Sequence, residues 1–457
     1  WVVSFVLARR DGKMSLTSIT LELAGAGLII GAMRPTNTWD IYAYLPLAAL
    51  VVGYALWRHS KKENWQRILL AFAGMGALTV FAILFYQPYA ESFGQAYGKV
   101  NLWKGSHTPF SSYFTHWGLF LFVIVSWMWS ETHEWMASTP LSALNKLKPY
   151  RTLLEVLAAA FLATLIGLTY LGVTIGWVAL PLAIWAGTLI LRANLEEGKR
   201  LILFLVGTGL VLTIVVEVIV LAGDIGRMNT VFKLYLQAWT FFAISAGAAL
   251  AWLLPEMRKW TNKWRAFWET AGVILFAGAA LFTVTATLDK VRDRVTPETP
   301  HTLDGMAYMD YASYWDSEDM DLSEDAAAIR WMRENVQGSP VIVEANTPEY
   351  RWGSRYTIYT GLPGVVGWNW HQRQQRALNS TLLVTDRVAE IGDFYNTTDM
   401  AVAQSFLDKY DVRYIVVGQV EHNYYPDGGL DKFAQMDGVL WDEVFREGGT
   451  VIYEVKQ

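Results

Sequence analysis

Residues 199–222 read KRLILFLVGTGLVLTIVVEVIVLA, a basic pair followed by an apolar run that contains one carboxylate, Glu217. A helix that crosses the hydrocarbon core of a bilayer takes about 20 apolar residues. The run therefore predicts a membrane span with cations at one end. The same arrangement recurs along the chain and decides its fold class.

Nine apolar runs in the first 288 residues predict membrane spans, and the second and fourth of them are short. The fifth and sixth are separated only by Gly172, which predicts a tight hairpin. The chain opens on a further short apolar stretch that ends at Arg9 and Arg10, as the last turns of a truncated span would. The nine runs cover residues 16–33, 41–57, 67–86, 116–130, 152–171, 173–191, 201–222, 232–254 and 268–288.

Basic clusters alternate with cation-poor connections along these runs. Short loops on the cytoplasmic side of a membrane carry an excess of Lys and Arg. The basic clusters are therefore predicted to be cytoplasmic; they lie at residues 9–13, 58–62, 146–148, 199–200 and 258–265. The other side then carries residues 36–40, 87–116, 223–233 and everything after Leu288. The pattern predicts a multi-pass protein of the cell membrane, embedded in the lipid bilayer, with its C-terminal domain outside the cytoplasm.

Composition agrees with a membrane protein and excludes several classes of function. Charged residues make up 17% of the chain and hydrophobic residues 53%, against about 25% charged in soluble domains. A net charge of -5 without a large basic patch excludes nucleic acid as a partner. The absence of Cys excludes disulfides, thiolate metal sites and Cys nucleophiles.

The sequence predicts three segments: a transmembrane helical domain at 1–288, an acidic and aromatic surface linker at 289–323, and an extracytoplasmic α/β domain at 324–457. In the last, a helix starts near a Ser323 cap, a short strand follows at 341–344, and a helix at 399–410 leads into a buried strand at 412–418. Two strands near 439–446 and 450–455 form a hairpin. Alternating strands and helices favour a small doubly wound or mixed sheet.

Glu217 is a functional candidate because an unpaired ionisable group inside a membrane is costly. Helical spacing puts Glu217, Asp224 and Arg227 on one face if the helix continues past two glycines; a structural Glu–Arg tie is the alternative. Asp224, Arg227, Asn229 and Lys233 form a mouth whose cations and amide suit a phosphate. The alternative there is anchoring to lipid head groups.

Two further acids, Asp40 and Glu91, are candidates for catalysis, although Asp40 could equally cap the following helix. His107 and His116 lack the spacing of a metal motif, so no metal ligand is assigned. A divalent cation is compatible with the chemistry but has no motif.

In the C-terminal domain, the stretches YRWGSR (350–355) and GLPGVVGWNWHQR (361–373) concentrate Arg, Trp, His and Gly. Exposed Trp and Arg suit sugar stacking or anionic groups, and the candidates are Arg355, Trp368, Trp370, His371 and Arg373. The sequence contains no nucleophile elbow, phosphate loop or zinc motif, so hydrolase or kinase chemistry is not indicated.

Several motifs along the chain resemble one family, the "YYY" family of multi-spanning membrane proteins from Chloroflexi and archaea. The motifs are RMNTVFKLYLQAW (227–239), TLDGMAY (302–308), residues 344–355, TGLP (360–363), GWNWH (367–371) and VGQVEHNYY (417–425). This family looks like a relative of the GT-C glycosyltransferases. Residues 328–335 are also similar to the external domain of oligosaccharyltransferase catalytic subunits.

The resemblance implies a many-helix membrane domain, an external α/β domain, and sugar transfer from a polyprenyl-phosphate donor at the outer face. GT-C enzymes usually place their catalytic acid in the first external loop, and this chain is expected to begin after that loop. Asp40, Glu91 and Glu217 are then the remaining acids, and none matches a catalytic motif residue by residue.

We therefore expect a GT-C-type membrane glycosyltransferase that uses a lipid-linked sugar, with Asp40 or Glu91 as general base. Arg227 and Lys233 would hold the donor phosphate, and the aromatic stretch would line the acceptor side. The alternative is a non-catalytic membrane subunit whose external domain docks onto a protein partner in a surface or membrane complex. A transporter is a weaker alternative, because few charges lie within the spans and no repeated halves are visible.

Overall fold

The computed structural model describes residues 1–10, 15–94, 99–295, 297–380 and 382–456. The chain divides into two compact units. The membrane unit comprises Trp1–Glu91 and Tyr97–Thr283, and the C-terminal unit comprises Ser92–Ala96 and Val284–Gln457.

The membrane unit is built of helices joined by short connections. They are α1 (Val2–Arg10), α2 (Leu16–Gly31), α3 (Met33–Thr36), α4 (Thr38–His59), α5 (Asn64–Leu84), α6 (Gln87–Ser92), α7 (Phe110–Ser138), a 3-10 helix (Leu141–Tyr150), α8 (Arg151–Tyr170), α9 (Gly176–Ile190), α10 (Glu197–Val218), α11 (Met228–Met257) and α12 (Asn262–Arg294). The ends of α6 and α12, after Glu91 and Thr283, belong to the C-terminal unit. Two short strands, β1 (Val100–Leu102) and β2 (Ile219–Leu221), pair antiparallel.

Eight helical segments among the described residues are long and apolar enough to cross a membrane, which confirms a multi-spanning protein. The prediction that the second and fourth spans are short was wrong. They form α4 and α7, with 22 and 29 residues, because both helices continue into polar sequence beyond their apolar runs.

The sixth predicted span forms α9, which has 15 residues, fewer than the about 20 that a crossing takes. Its flanks nevertheless lie at different ends of α7. Before α9, Gly172 turns the chain with φ +80° and packs against His107, whose ring would lie 3.2 Å from an added Cβ. After α9, Arg192 donates to Glu131 near the C-terminus of α7 at 3.2 Å. Together with its flanking turns, α9 therefore runs from the start of α7 to a point near its C-terminus, as a membrane-crossing segment would.

These contacts define two ends of the membrane unit. The basic end carries the buried Glu131 with Arg192 and Lys199, and there Tyr54 donates to Glu197 at 2.8 Å. The loop end carries the connection before α7 and the connection between α10 and α11. From Phe110 to Glu131, α7 rises about 30 Å, the thickness of a bilayer core.

Two apolar clusters hold the helices of the membrane unit together. One joins α1, α2, α4 and α5, and the other joins α7, α9, α10 and α11. Lipid tails are as apolar as these side chains, so close packing has to supply much of the attraction. Gly209 shows how close it is, since an added Cβ would lie 2.7 Å from the ring of Phe242.

The C-terminal unit contains a 3-10 helix (Ala307–Asp310), a small hairpin and a four-stranded sheet with surrounding helices. Its elements are β3 (Ser313–Asp316), β4 (Glu318–Asp321), α13 (Leu322–Asn335), β5 (Val341–Val343), α14 (Arg355–Thr360), α15 (Asn369–Gln375), α16 (Leu382–Asn396), α17 (Met400–Tyr410), β6 (Val412–Val417), α18 (Gln419–Tyr424), α19 (Asp431–Gln435), β7 (Trp441–Glu447) and β8 (Thr450–Val455).

The sheet is mixed, with strand order β5-β6-β8-β7. β5 and β6 are parallel, and the other two pairs are antiparallel. Residues 313–321, within the predicted linker, form the β3–β4 hairpin, and Met309 and Met320 are buried in the core of this unit. Asp321, rather than Ser323, caps α13, because its carboxylate accepts from the backbone N–H of Ser323.

Lys432 is a buried cation of this unit without a carboxylate partner among the described residues. Its Nζ donates to the carbonyl oxygens of Tyr395 and Gly429, each at 2.9 Å, and lies 4.3 Å from the centre of the Phe433 ring. Burial lowers the pKa of Lys432 to about 8.

This shift makes the stability of the C-terminal unit depend on pH. Between pH 8 and the unfolded value of 10.5, the unfolded chain binds a proton that the folded chain does not, so stability rises with pH. We expect wild type to show this rise and Lys432→Met to lack it. Urea titrations of the full chain at pH 7.5, 8.5 and 9.5, with hydrogen exchange of β6 as the readout, measure the free energy of unfolding of the C-terminal unit for each protein. Equal pH slopes for the two proteins would contradict the prediction.

Candidate functional site

Glu217 is fully buried at the loop end and accepts several hydrogen bonds. Oε1 lies 2.7 Å from Arg227 Nη1 and accepts from Thr108 Oγ1 at 2.5 Å. Oε2 accepts from the backbone N–H of Thr108 at 3.0 Å and lies 3.2 Å from His107 Nδ1. Both carboxylate oxygens are therefore occupied, which is the condition under which a buried charge is tolerated.

Arg227 is fixed as firmly as its partner. Nη1 also donates to the carbonyl of Val216 at 2.8 Å, Nη2 donates to Thr108 Oγ1 at 3.1 Å, and the guanidinium lies 5.5 Å from the Trp103 ring centre. The predicted meeting of Glu217 and Arg227 is thus present, with the loop before α7 closing over it.

The pair does not form by the predicted helical spacing, which was wrong. α10 ends at Val218, β2 follows, and the chain turns through Gly223 and Gly226 with φ of +87° and +62°. This reversal brings Arg227 back to Glu217. Asp224 does not join them, because its carboxylate accepts from the backbone N–H groups of Asn229 and Thr230 at the start of α11.

A second polar cluster at the loop end joins α4 to α11. Asp40 Oδ1 accepts from Gln237 Nε2 at 2.6 Å and from Asn37 Nδ2 at 2.9 Å. Lys233 Nζ donates to Asn37 Oδ1 at 3.3 Å. The amide of Asn37 therefore lies between an acid, Asp40, and a cation, Lys233. Both of these charged side chains are partly buried. Asp40 Oδ2 accepts no hydrogen bond from any residue that the structure describes.

The remaining polar candidates of the membrane unit lie outside these two clusters. Glu91 is exposed on α6 and accepts from Gln87 at 3.3 Å. His116 packs edge-on against Trp117, with ring centres 4.3 Å apart. Within the described ranges, no three His, Asp or Glu side chains lie together as metal ligands would.

In the C-terminal unit, three of the predicted sugar-binding residues line one shallow cleft. Trp368, Trp370 and His371 form it together with Tyr350 and the segment around Asn346. Arg373 lies beside them, with its guanidinium 5.2 Å from the Trp370 ring centre. The structure thus brings together residues from both aromatic stretches of the sequence.

Arg355, predicted in the same group, lies elsewhere, and its assignment to the acceptor side is corrected. It is 1% exposed; Nε donates to Asp325 and Nη2 to Glu421, each at 2.8 Å, and Nη1 lies 3.7 Å from Glu344. Burial raises the pKa of Glu344. Arg355 therefore neutralises interior carboxylates and presents no donor to a ligand.

Comparison with known proteins assigns the membrane unit to a family. A family model described as "Uncharacterized membrane protein (DUF2298)" matches residues 1–242. The chain belongs to this family. No curated protein resembles the sequence closely enough to count as a match.

Both polar clusters of this DUF2298 protein lie inside the matched segment. It includes the cluster around Glu217 and the cluster around Asp40, up to Gln237. The aromatic cleft, which begins at Asn346, lies beyond it. The family match therefore covers the part of the chain where charges meet inside the membrane unit.

Sequence reasoning missed three residues that complete these clusters in the DUF2298 protein: Asn37, Thr108 and Gln237. A signal for Gln237 was present, since it is an amide inside an apolar run and lies one helical turn after Lys233. Thr108 had no such signal, because its importance depends on a loop that folds back onto α10.

The Glu217–Arg227 pair predicts strong non-additivity between two substitutions. Arg227→Leu leaves a buried carboxylate unpaired and should destabilise the membrane unit by about 3–5 kcal/mol. Glu217→Leu combined with Arg227→Leu should recover most of that loss, because no charge then remains buried. Thermal unfolding of the full chain in detergent, measured for wild type, the two single variants and the double variant, gives the interaction free energy between the two side chains.

Arg265→Leu is the matched control, since Arg265 forms an exposed pair with Glu269 at 3.6 Å and exposed pairs contribute about 0–1 kcal/mol. Additive effects of the two substitutions at Glu217 and Arg227 would contradict a tightly coupled pair.

Proposed function

We propose that this chain is a membrane glycosyltransferase of the GT-C type, which transfers a sugar from a polyprenyl-phosphate donor. Asp40 acts as the general base and Lys233 holds the donor phosphate. The observation that carries the proposal is the arrangement of this acid and this cation about one amide, that of Asn37, at the end of a membrane helix bundle.

Asp40 suits the role of base because one of its carboxylate oxygens is fixed by hydrogen bonds and the other is free to accept a proton. Asn37 and Gln237 fix Oδ1, while Oδ2 accepts nothing from the described part of the chain. A base needs such a positioned oxygen within hydrogen-bond reach of the proton it takes. Glu217 does not suit the role, since both of its oxygens are already occupied.

Lys233 suits a phosphate because its ammonium donates to a neutral amide and forms no ion pair among the described residues. Lys has three donors on a compact charge, so two remain for phosphate oxygens. Arg227, the other predicted phosphate ligand, is largely engaged by Glu217, Thr108 and a carbonyl. Arg227 then acts by fixing the loop end rather than by binding the donor.

The reaction follows from these two positions. The acceptor hydroxyl gives its proton to Asp40 Oδ2 as its oxygen forms a bond to the anomeric carbon of the donor sugar. The bond from that carbon to the phosphate oxygen breaks, and the electron pair stays on the phosphate. Lys233 stabilises the charge that develops there, as a positioned cation does for a transferred group.

The loop end carries this chemistry, and we assign it to the outer side of the membrane. The support is the alternation of basic clusters, since Lys199 and Arg192 lie at the opposite, basic end. The lipid tail of the donor would lie against the helices while its phosphate reaches Lys233.

The proposal predicts distinct defects for two variants. Asp40→Asn should lower the rate of sugar transfer by about 10²-fold or more, because general bases contribute about 10²–10⁴-fold. Lys233→Met should chiefly weaken donor binding. Transfer of radiolabelled hexose from polyprenyl-phosphate mannose or polyprenyl-phosphate glucose to membrane acceptors measures both effects.

Lys259→Met is the control, since Lys259 pairs with Glu256 on an exposed surface. Unchanged transfer in Asp40→Asn and Lys233→Met would refute the site. A wild-type protein that transfers from neither donor, yet copurifies with a protein partner, would favour the non-catalytic subunit instead.

A further inference from the structure

The aromatic cleft of the C-terminal unit exposes rings that a polar domain would ordinarily bury. Tyr350 is 74% exposed, Trp368 41% and Trp370 42%. The ring centres of Trp368, Tyr350 and His371 lie 5.3–6.5 Å apart, and Tyr350 meets the other two rings edge-on. Two flat apolar surfaces and an imidazole are thus grouped at one place on the surface.

Polar groups that could form further hydrogen bonds lie among these rings. Neither nitrogen of His371 has a hydrogen-bond partner among the described residues. Glu349 Oε1 accepts from Arg373 at 2.9 Å, and Oε2 accepts nothing that the structure describes. The cleft therefore offers donors and acceptors beside apolar faces.

The backbone that presents Tyr350 is held in an unfavourable conformation. Tyr350 and Ser354 have φ of +64° and +57°, a region that costs L residues energy and tends to mark functional sites. Residues on either side are tied down: Arg351 donates to Asp316 at 3.1 Å and Trp352 to the buried Asp325 at 2.8 Å. The loop is thus organised with its exposed ring already in place.

The position of the cleft in the fold also favours a ligand. The segment from Asn346 to Ser354 follows the carboxyl end of β5, the strand that pairs in parallel with β6. In open α/β sheets, ligands bind outside the carboxyl ends of parallel strands.

We propose that this cleft binds a hexopyranose unit of a glycan. One face of a pyranose carries C–H groups that pack on an aromatic ring, while its hydroxyls need planar donors and acceptors such as His371 and Glu349. The cleft is shallow and open, as suits one or two residues of a longer chain rather than a fully enclosed small molecule. This site stands independently of whether the membrane unit transfers sugar.

Titration calorimetry tests the proposal on the full chain in lipid nanodiscs, without any lipid-linked donor. The probes are cellotetraose, mannotetraose and chitotetraose. We expect at least one to bind, Trp368→Ala to raise its Kd about tenfold or more, as a central aromatic contact does, and Trp368→Phe to restore much of the affinity.

Trp315→Ala is the matched control, because Trp315 is a 70% exposed Trp of the same unit on β3, and it should leave the Kd unchanged. No binding of any probe, or equal losses in Trp368→Ala and Trp315→Ala, would overturn the proposal. Binding retained in Asp40→Asn, together with lost transfer, separates the cleft from the transfer site.

Discussion

A carboxylate removed from water has to be neutralised and hydrogen-bonded, and both units of this protein depend on an arginine that does so. Arg227 neutralises Glu217 in the membrane unit, and Arg355 contacts three buried acids in the C-terminal unit. Each arginine also fixes a polar surface. Arg227 ties the loop before α7 to α10, and the Asp325 that Arg355 holds also anchors Trp352, beside the strained Tyr350.

Occupancy of the carboxylate oxygens separates structural acids from acids that can react. Glu217 looks like the stronger candidate in the sequence because it lies deepest in an apolar run, but its oxygens are saturated. Asp40 lies at a helix start, where a capping role is the ordinary interpretation. Its side chain instead meets Asn37 and Gln237 through one oxygen and leaves the other open. The open oxygen of Asp40 is therefore the reason that the proposed role of base is given to Asp40 and not to Glu217.

The positions of the membrane spans and of most strands were predictable from the sequence, but the side-chain contacts made by turns and loops were not. Apolar runs predict spans because span length is set by the bilayer, and the predicted bounds of β6, β7 and β8 lie within two residues of the observed ones. The Glu217–Arg227 pair was predicted through a helix that does not exist, since the sequence does not show which way Gly223 and Gly226 turn. Arg355 was placed on the surface because composition cannot tell an exposed Arg from one buried by three acids.

The two proposed sites would use different interactions because their side chains differ in exposure to water. Asp40 and Lys233 are partly buried, and water screens such charges less than charges on an open surface, so one carboxylate and one ammonium would interact strongly with charge that develops in a reaction. The site can therefore be small. The cleft of the C-terminal unit faces water, which screens single charges, so recognition there has to come from contact area, which aromatic rings supply. The proposed site of the membrane unit therefore relies on one acid and one cation on either side of the Asn37 amide, whereas the proposed site of the C-terminal unit relies on a cluster of aromatic rings.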